Sequence, residues 1–477
     1  MSLINFKKNN PWIIFLVTGF GASMSALDGG IVNVALPTIN EHFHSILANS
    51  QWLVSIYLLS LCTCLPIAGR LNELFTRRKI YLSGFVFFTM SSMCCGMAWS
   101  LTSLTIFRMI QGIGAAMIMS GTAAIILSFV PKEKHGRALG INSMTVAFGS
   151  IAGPSLGGFL VQWLGWRSIF YVNLPIGLLA YYFGYHILPR NEVPVKQKLD
   201  LLGAALLMIS IITILLILNN DLHWGWLSLN TFFLFMFSVI IFFLFIFREK
   251  KITYPLLNLN LFKIKKYVYG NLVSFFTFSG IAVNSILLPF CLSDQLKFMP
   301  ATIGLFLFIP PIFIVFIAPL SGYLADLFDH TILVLIGLSS VITGLFLQTF
   351  LQVDSSVFII IASQSCVGFG FSFMQSPNNY RMLRSVPKES LSSAASFNSL
   401  MRNLGKIFGV VASTTAFSAI RNHLLKITPE ATSHAFFVAY KYSYFFAVIF
   451  VIFSILITAK EFKQRKLEAR EFSVEAA

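Results

Sequence analysis

Apolar residues along this chain fall in long blocks, without the strict alternation of strands or the one-sided stripes of helices packed in water. From Trp12 onward, blocks of roughly 20 residues, the length of a bilayer-spanning helix, follow one another. They lie near 12–36, 48–68, 79–98, 101–121, 136–161, 167–187, 201–219, 229–247, 268–292, 302–324, 331–351, 356–377, 393–419 and 437–459. Strands that cross membranes alternate apolar and polar residues over short stretches, and these blocks do not. The pattern predicts an all-α polytopic membrane protein of fourteen spans, with short connections and no soluble domain.

Composition sharpens that expectation. The 477 residues are 56% hydrophobic and only 11% charged, where a soluble chain carries about 25% charged residues. The net charge of +16 could suit nucleic acid, but its distribution argues otherwise. Of the 34 Lys and Arg, Arg108, Arg402 and Lys406 lie deep inside blocks. Arg167, Lys297, Arg421, Lys426 and Lys441 fall at the odd-numbered junctions or in the block turns bordering them, and the others cluster likewise at the N-terminus, the even junctions and the C-terminal tail. Such asymmetry places both termini in the cytoplasm. The positive charge then serves topology, and no nucleic-acid partner is expected. Lys7 and Lys8 before an apolar run resemble a signal peptide, but the run continues to Leu36 without a small-residue cleavage site. It reads as a retained first span. The six cysteines all sit in apolar blocks, as small packing residues do, so no metal or cofactor is expected.

The chain also echoes itself. Gly69-Arg70-Leu71-Asn72-Glu73-Leu74-Phe75 follows the second block, and Gly322-Tyr323-Leu324-Ala325-Asp326-Leu327-Phe328 follows the tenth. If these correspond, two six-helix halves flank an inserted helical pair, a plan that transporters use around a central site. The expected divisions are 1–190 for the first half, 191–265 for the inserted pair with its linkers, 266–460 for the second half, and 461–477 for a cytoplasmic tail.

Charge inside the blocks is where chemistry is expected. An Asp at the centre of a spanning helix costs about 2.5–3.5 kcal/mol on insertion scales, and Asp28 lies well inside the first block with Ser25 and Gly21 on its face. It reads either as half of a permanent ion pair or as a carboxyl that exchanges protons. Arg108 shares a helical face with Gln111 and Gly112 in the fourth block, and an intramembrane Arg pairs or faces a cavity. Arg402 and Lys406 stand one turn apart in the thirteenth, with Asn398 and Asn403 nearby. In the fifth block Gly149, Gly153 and Gly157 recur every four residues beside Pro154 and Gly158. That spacing makes a smooth face for close helix packing and a seam that can bend or slide.

Taken together, these stretches resemble a family. Leu27-Asp28 followed by Asn33-Val34-Ala35-Leu36-Pro37 is similar to the first-span signature of the fourteen-span drug:proton antiporters of the major facilitator superfamily, the EmrB/QacA type. Gly69 through Lys79, with Arg70, Glu73, Arg77 and Arg78, resembles the superfamily's loop motif. Arg108, Gln111, Gly112 and Gly114 resemble its fourth-span motif, and Gly149 through Gly158 its antiporter motif. Trp166 through Gly177, Trp224-Gly225-Trp226 and Asn403-Leu404-Gly405 extend the likeness over nearly the whole chain. The loop departs from the motif at Glu73 and Thr76, where the family has Asp and Gly. The second-half blocks also lack the deep acids of relatives that export organic dications.

The resemblance implies a transporter, not an enzyme, working by alternating access in a bacterial inner membrane. Protons would enter through Asp28 in exchange for a small amphipathic or drug-like molecule, with Arg108, Gln111, Arg402 and Asn398 near the path. In a Gram-negative cell a periplasmic adaptor and an outer-membrane channel would be its partners. Glu73 is expected to dock at the start of the thirteenth span and Asp326 at that of the fifth. The rival reading is a dedicated carrier, exporter or importer, of one metabolite or siderophore, with an anion suiting one buried acid among three buried bases. A membrane enzyme or a channel is a remoter rival. The eight His are scattered, and no repeated rings of polar residues occur.

Overall fold

The computed structural model describes residues 11–44, 47–131, 134–188, 199–219, 228–252, 255–298, 300–427 and 432–475. Among these residues the chain is helical and no strand occurs. In chain order the helices are α1 Pro11–His42, α2 Leu47–Leu74, α3 Arg77–Gly96, α4 Leu101–Phe129, α5 His135–Leu164, α6 Ser168–Tyr171 and α7 Asn173–Ile187. They continue with α8 Leu201–Asn219, α9 Leu229–Lys251, α10 Lys265–Phe290, α11 Pro300–Leu327, α12 His330–Gln348, α13 Val357–Arg384, α14 Leu391–Ile427 and α15 Thr432–Glu475. Eight of them among the described residues are long and apolar enough to cross a membrane: α2, α4, α9, α10, α11, α12, α13 and α15.

The sixth apolar block is not one helix. It breaks at Val172 into α6 and α7. Pro175 has no N–H to offer the carbonyl of Tyr171 one turn back, so the helix restarts with Pro175 in its first turn, where a missing donor costs little. The break sets Asn173 at the head of α7. At the far end of the chain, α15 runs past the expected span end to Glu475. There Glu461 is buried against Arg381 of α13 at 3.0 Å, an acid that sequence reading assigns to a tail.

Two compact units emerge. The first holds α1–α4, most of α5, α6–α9 and the opening turns of α14, through Leu400. Within it α4 packs along both α2 and α3, while α7 lies against α1 and α3. Apolar side chains including Ile31, Val32, Leu53, Leu104, Ile169 and Phe170 fill its core. Helices α8 and α9 pack on each other, stapled where Arg248 donates three bonds of 2.7–3.0 Å to the Asp200 carboxylate. The adjacent Glu249 accepts the backbone N–H groups of Leu256 and Leu257 and so ties down the chain that follows α9.

The second unit holds α10–α13, α15 and α14 from Met401 onward, with residues 139–144 of α5. It repeats the packing of the first. Helix α13 packs along α11 and α12 as α4 does along α2 and α3, and α15 lies against α10 and α12 as α7 does against α1 and α3. Its core includes Val283, Leu338, Val341, Val367, Met374 and Tyr444.

Candidate functional site

At the heart of the first unit, α1 presents Asp28 to α4. A carboxylate there needs its charge answered, since an unpaired buried charge is far costlier than a neutral polar group. Arg108 Nη1 donates to Asp28 Oδ2 at 2.6 Å, and the two side chains are 1% and 0% exposed. Gln111, three residues along the same face of α4, donates from Nε2 to Asp28 Oδ1 at 3.0 Å and accepts from Arg108 Nη1 at 2.7 Å. Asn173 at the head of α7 donates to Asp28 Oδ1 at 3.1 Å. Ser92 of α3 knits the group together: its Oγ accepts from Asn173 and Gln111 at 3.0 and 3.2 Å and donates to the carbonyl of Phe170 at 2.9 Å. From α2, the Tyr57 ring lies 4.2 Å from the guanidinium carbon, a cation–π distance, and Leu53 contributes a carbonyl to Arg108 Nε at 3.2 Å.

Helices α1–α4 and α7 thus converge on one carboxylate. Three donors hold Asp28 while it is ionised. Among the described residues, Arg108 Nη2, Tyr57 Oη and Asn173 Oδ1 have no protein hydrogen-bond partner although they are buried. The cluster therefore keeps spare hydrogen-bonding capacity. Adding one proton to Asp28 would remove the charge that fixes Arg108, and the network would have to rearrange.

Of the residues singled out from sequence, Asp28, Arg108 and Gln111 come together here. Asn173, Ser92 and Tyr57 complete the cluster, and sequence reasoning does not single them out. Asn398 is buried in the opening turns of α14, 3% exposed. Arg402 and Lys406 belong to the second unit, where both cationic groups approach the Phe278 ring, at 6.0 and 5.4 Å.

The glycine seam of α5 packs on the same helix that carries Asp28. A Cβ at Gly153 would stand 2.7 Å from the carbonyl oxygen of Leu27, and one at Gly157 would stand 2.9 Å from Ile31 Cγ1. Gly149 faces Ser23 as closely. Only glycine lets α5 come this near the backbone beside Asp28. Gly158 points to open space, and the side chain of Pro154 is outside the described residues, as is Trp224-Gly225-Trp226.

The loop motif grips the first turns of α14. Glu73 pairs with Arg70 at 2.8 Å and accepts the backbone N–H of Ser393 at 3.3 Å, a helix N-terminus that favours a carboxylate. Arg77 donates to Ser392 Oγ and to the carbonyl of Lys388, each at 3.1 Å, and also reaches Ser128. Gly69 admits Ser396, whose Cβ would lie 2.8 Å from any side chain added there. Arg78 turns away to the carbonyl of Tyr185 at 2.6 Å. Asp326 is half-buried near the end of α11.

Comparison with known proteins agrees with this architecture. The family model described as Major Facilitator Superfamily matches residues 18–264 and 270–475. The chain is 30% identical over 449 residues to the riboflavin transporter RibZ of Clostridioides difficile (strain 630), covering 94% of this chain and 96% of that protein. It is 29% identical over 426 residues to the multidrug transporter protein MdtP of Bacillus subtilis (strain 168), covering 88% and 78%. In fold it is similar to the proton:xylose symporter XylE, with a TM-score of 0.66 at 18% identity over 94% of this chain and 95% of that one. With the family model matched along nearly its whole length and the repeated helical packing on view, this chain belongs to the Major Facilitator Superfamily of membrane transporters.

Proposed function

We propose that this transporter is a proton-coupled antiporter of the fourteen-span drug:proton branch, exporting small amphipathic molecules across a bacterial inner membrane. In this reading the halves 1–190 and 266–460 each supply six spans, α8 and α9 are the inserted pair within 191–265, and both termini and the 461–477 tail are cytoplasmic. The observation that carries it is the Asp28–Arg108 pair, sealed from solvent and held by neutral donors whose bonds to Asp28 Oδ1 can persist, weakened, on a protonated carboxyl. Protonation of Asp28 cancels one charge of the pair and frees Arg108, and loss of the proton to the other side restores the grip. Each charge moved through 100 mV supplies about 2.3 kcal/mol, enough to bias such an exchange. The contacts of Glu73 and Arg77 with α14 act as a latch on one state, Asp326 serves α5 in the same way, and the glycine seam gives α1 and α5 a surface on which to slide.

The test is transport in proteoliposomes under an imposed pH gradient, with ethidium as the probe. The wild type should accumulate it against its gradient, and Asp28→Asn should only equilibrate it. Concentrative transport by the Asn variant at the wild-type rate would refute the coupling role. A second reading, a dedicated carrier of one metabolite, is favoured by the likeness to a riboflavin transporter along 94% of the chain. That reading keeps the Asp28 site and changes the cargo.

A further inference from the structure

In the coupling cycle above, protonation of Asp28 leaves Arg108 as a full charge at a place with no solvent to answer it. A buried charge is tolerated only where something compensates it. Besides Asp28 and Gln111, helix α2 addresses Arg108 twice. Leu53 offers its carbonyl to Nε at 3.2 Å. One turn further along, the Tyr57 ring lies 4.2 Å from the guanidinium carbon.

Close packing of α2 on α4 fixes that ring. A Cβ at Gly112 would stand 2.6 Å from the carbonyl oxygen of Tyr57 and 2.9 Å from Ser60 Cβ, so glycine at this point of α4 is what admits α2. Ser60 Oγ donates to the carbonyl of Met109 at 2.6 Å and ties the two helices beside Arg108. Tyr57 is 2% exposed, and among the described residues its buried hydroxyl has no protein hydrogen-bond partner. A buried hydroxyl without a partner is a cost, so what the site gains from Tyr57 is the ring face.

While Asp28 is ionised, its carboxylate answers most of the Arg108 charge and the ring adds little. Once the carboxyl is neutral, the same ring faces an uncompensated cation in a dry site, where cation–π attraction is strongest. The hold of the ring grows as that of the carboxylate vanishes.

We propose that Tyr57 is a positioning residue of the coupling centre, whose ring carries the Arg108 charge while Asp28 is protonated. Gly112 permits the helix approach that puts the ring there. The proposal rests on the Asp28 coupling reading and deepens it: Arg108, released by the carboxyl, stays over the ring and is regripped when the proton leaves.

Thermal unfolding of the reconstituted full-length protein tests this without a proton gradient. Asp28→Asn stands in for the protonated carboxyl, so the contribution of the ring is compared in two charge states. Position 57 is set to phenylalanine and then to phenylalanines bearing one, two and three ring fluorines, which drain the ring face of negative potential with little change of shape. Tyr57→Phe should unfold at the wild-type temperature or above it and should keep transport. Each added fluorine should then lower the unfolding temperature, more steeply in the Asp28→Asn background than in the Asp28 protein. Tyr57→Leu should slow transport under a pH gradient about tenfold, the loss expected for one desolvated cation–π contact. Equal slopes in the two backgrounds, no slope in the Asn background, or loss of transport in Tyr57→Phe would each overturn the role of Tyr57. The coupling reading fails on a different result, concentrative transport by Asp28→Asn at the wild-type rate.

Discussion

In the first unit α1 meets α4 through Asp28 and Arg108, 2.6 Å apart. In the second, α10 meets α13 through Asn284 and Gln364, whose amides exchange bonds of 2.8 and 3.1 Å. The surroundings run parallel. Asn173 of α7 donates to Asp28, and Tyr444 of α15 donates to Asn284 Oδ1 at 2.9 Å. Ser92 of α3 ties the ionic cluster together, while Gln348 of α12 donates to Ser363 and accepts from Tyr440. The same helix order builds both centres, and the same spacing in sequence that relates Gly69 to Gly322 relates Gln111 to Gln364. One centre carries a removable charge and the other carries none. Paired amides satisfy each other without ionising, so a proton alters the first centre and leaves the second intact. The repeat supplies the scaffold, and under the proposed coupling the charge at one of its centres supplies the asymmetry.

The harshest way to break the comparison is to leave the ionic centre half-made. Arg108→Gln strands Asp28 and should cost about 3–5 kcal/mol, the range for breaking a buried pair. Adding Asp28→Asn should recover much of that loss by making the first centre resemble the second. Thermal unfolding of the reconstituted variants gives the ranking, and a double variant less stable than Arg108→Gln alone would contradict it. A milder break is Gln364→Leu, which takes the acceptor from Asn284 Nδ2 while Oδ1 keeps Tyr444, and it should cost about 1–3 kcal/mol while leaving the pH dependence of transport where it was. A shifted pH profile in that variant would mean that the neutral centre also takes part in coupling.

Asn173→Ala removes one neutral donor from Asp28 and should cost about 1 kcal/mol. Its sharper readout is the rate of transport under an imposed pH gradient, which should fall because the Asn173 amide touches the Asp28 carboxylate directly. An unchanged rate would make Asn173 a packing residue only. The smallest effect concerns the paired loops. Thr76 caps α3 with its side chain accepting from Lys79 N–H at 3.2 Å, and it does so at φ 156°, ψ 145°, where glycine fits better. At the matching place in the second unit Asp329 caps α12 at an unstrained φ of −63°. Strain of about 1–3 kcal/mol outweighs the few tenths lost when glycine replaces a capping side chain. Thr76→Gly should therefore stabilise by about 1 kcal/mol and Asp329→Gly should slightly destabilise. The same sign from both would show that the two loops are not strained differently.

Much of this architecture is legible in the amino-acid sequence. Long apolar blocks mark the helices because lipid-facing surface needs them. Asp28 and Arg108 stand out because charge inside such blocks is expensive, and Gln111 follows from helical spacing on the Arg108 face. The docking of Glu73 on the start of α14 follows from the helix dipole and the internal echo. Asn173, Ser92 and Tyr57 are hidden, since neutral polar residues occur throughout membrane helices and only packing reveals which ones face a charge. Pro175 is the readable sign that the sixth block breaks just before Asn173. The amide centre is hidden for the same reason as Asn173, although Gln364 sits at the place that the echo marks. Glu461 lies beyond the last apolar block, and nothing local distinguishes a buried acid there from one in a tail.

The central claim is that Asp28, in the ionic centre alone, gains and loses a proton during the cycle. Infrared difference spectroscopy of the reconstituted protein between alkaline and acid buffer reads that event as the carbonyl stretch of a protonated carboxyl. The wild type should show such a band, Asp28→Asn should lack it, and Gln364→Leu should keep it. Superimposable difference spectra from the wild type and Asp28→Asn would contradict the account.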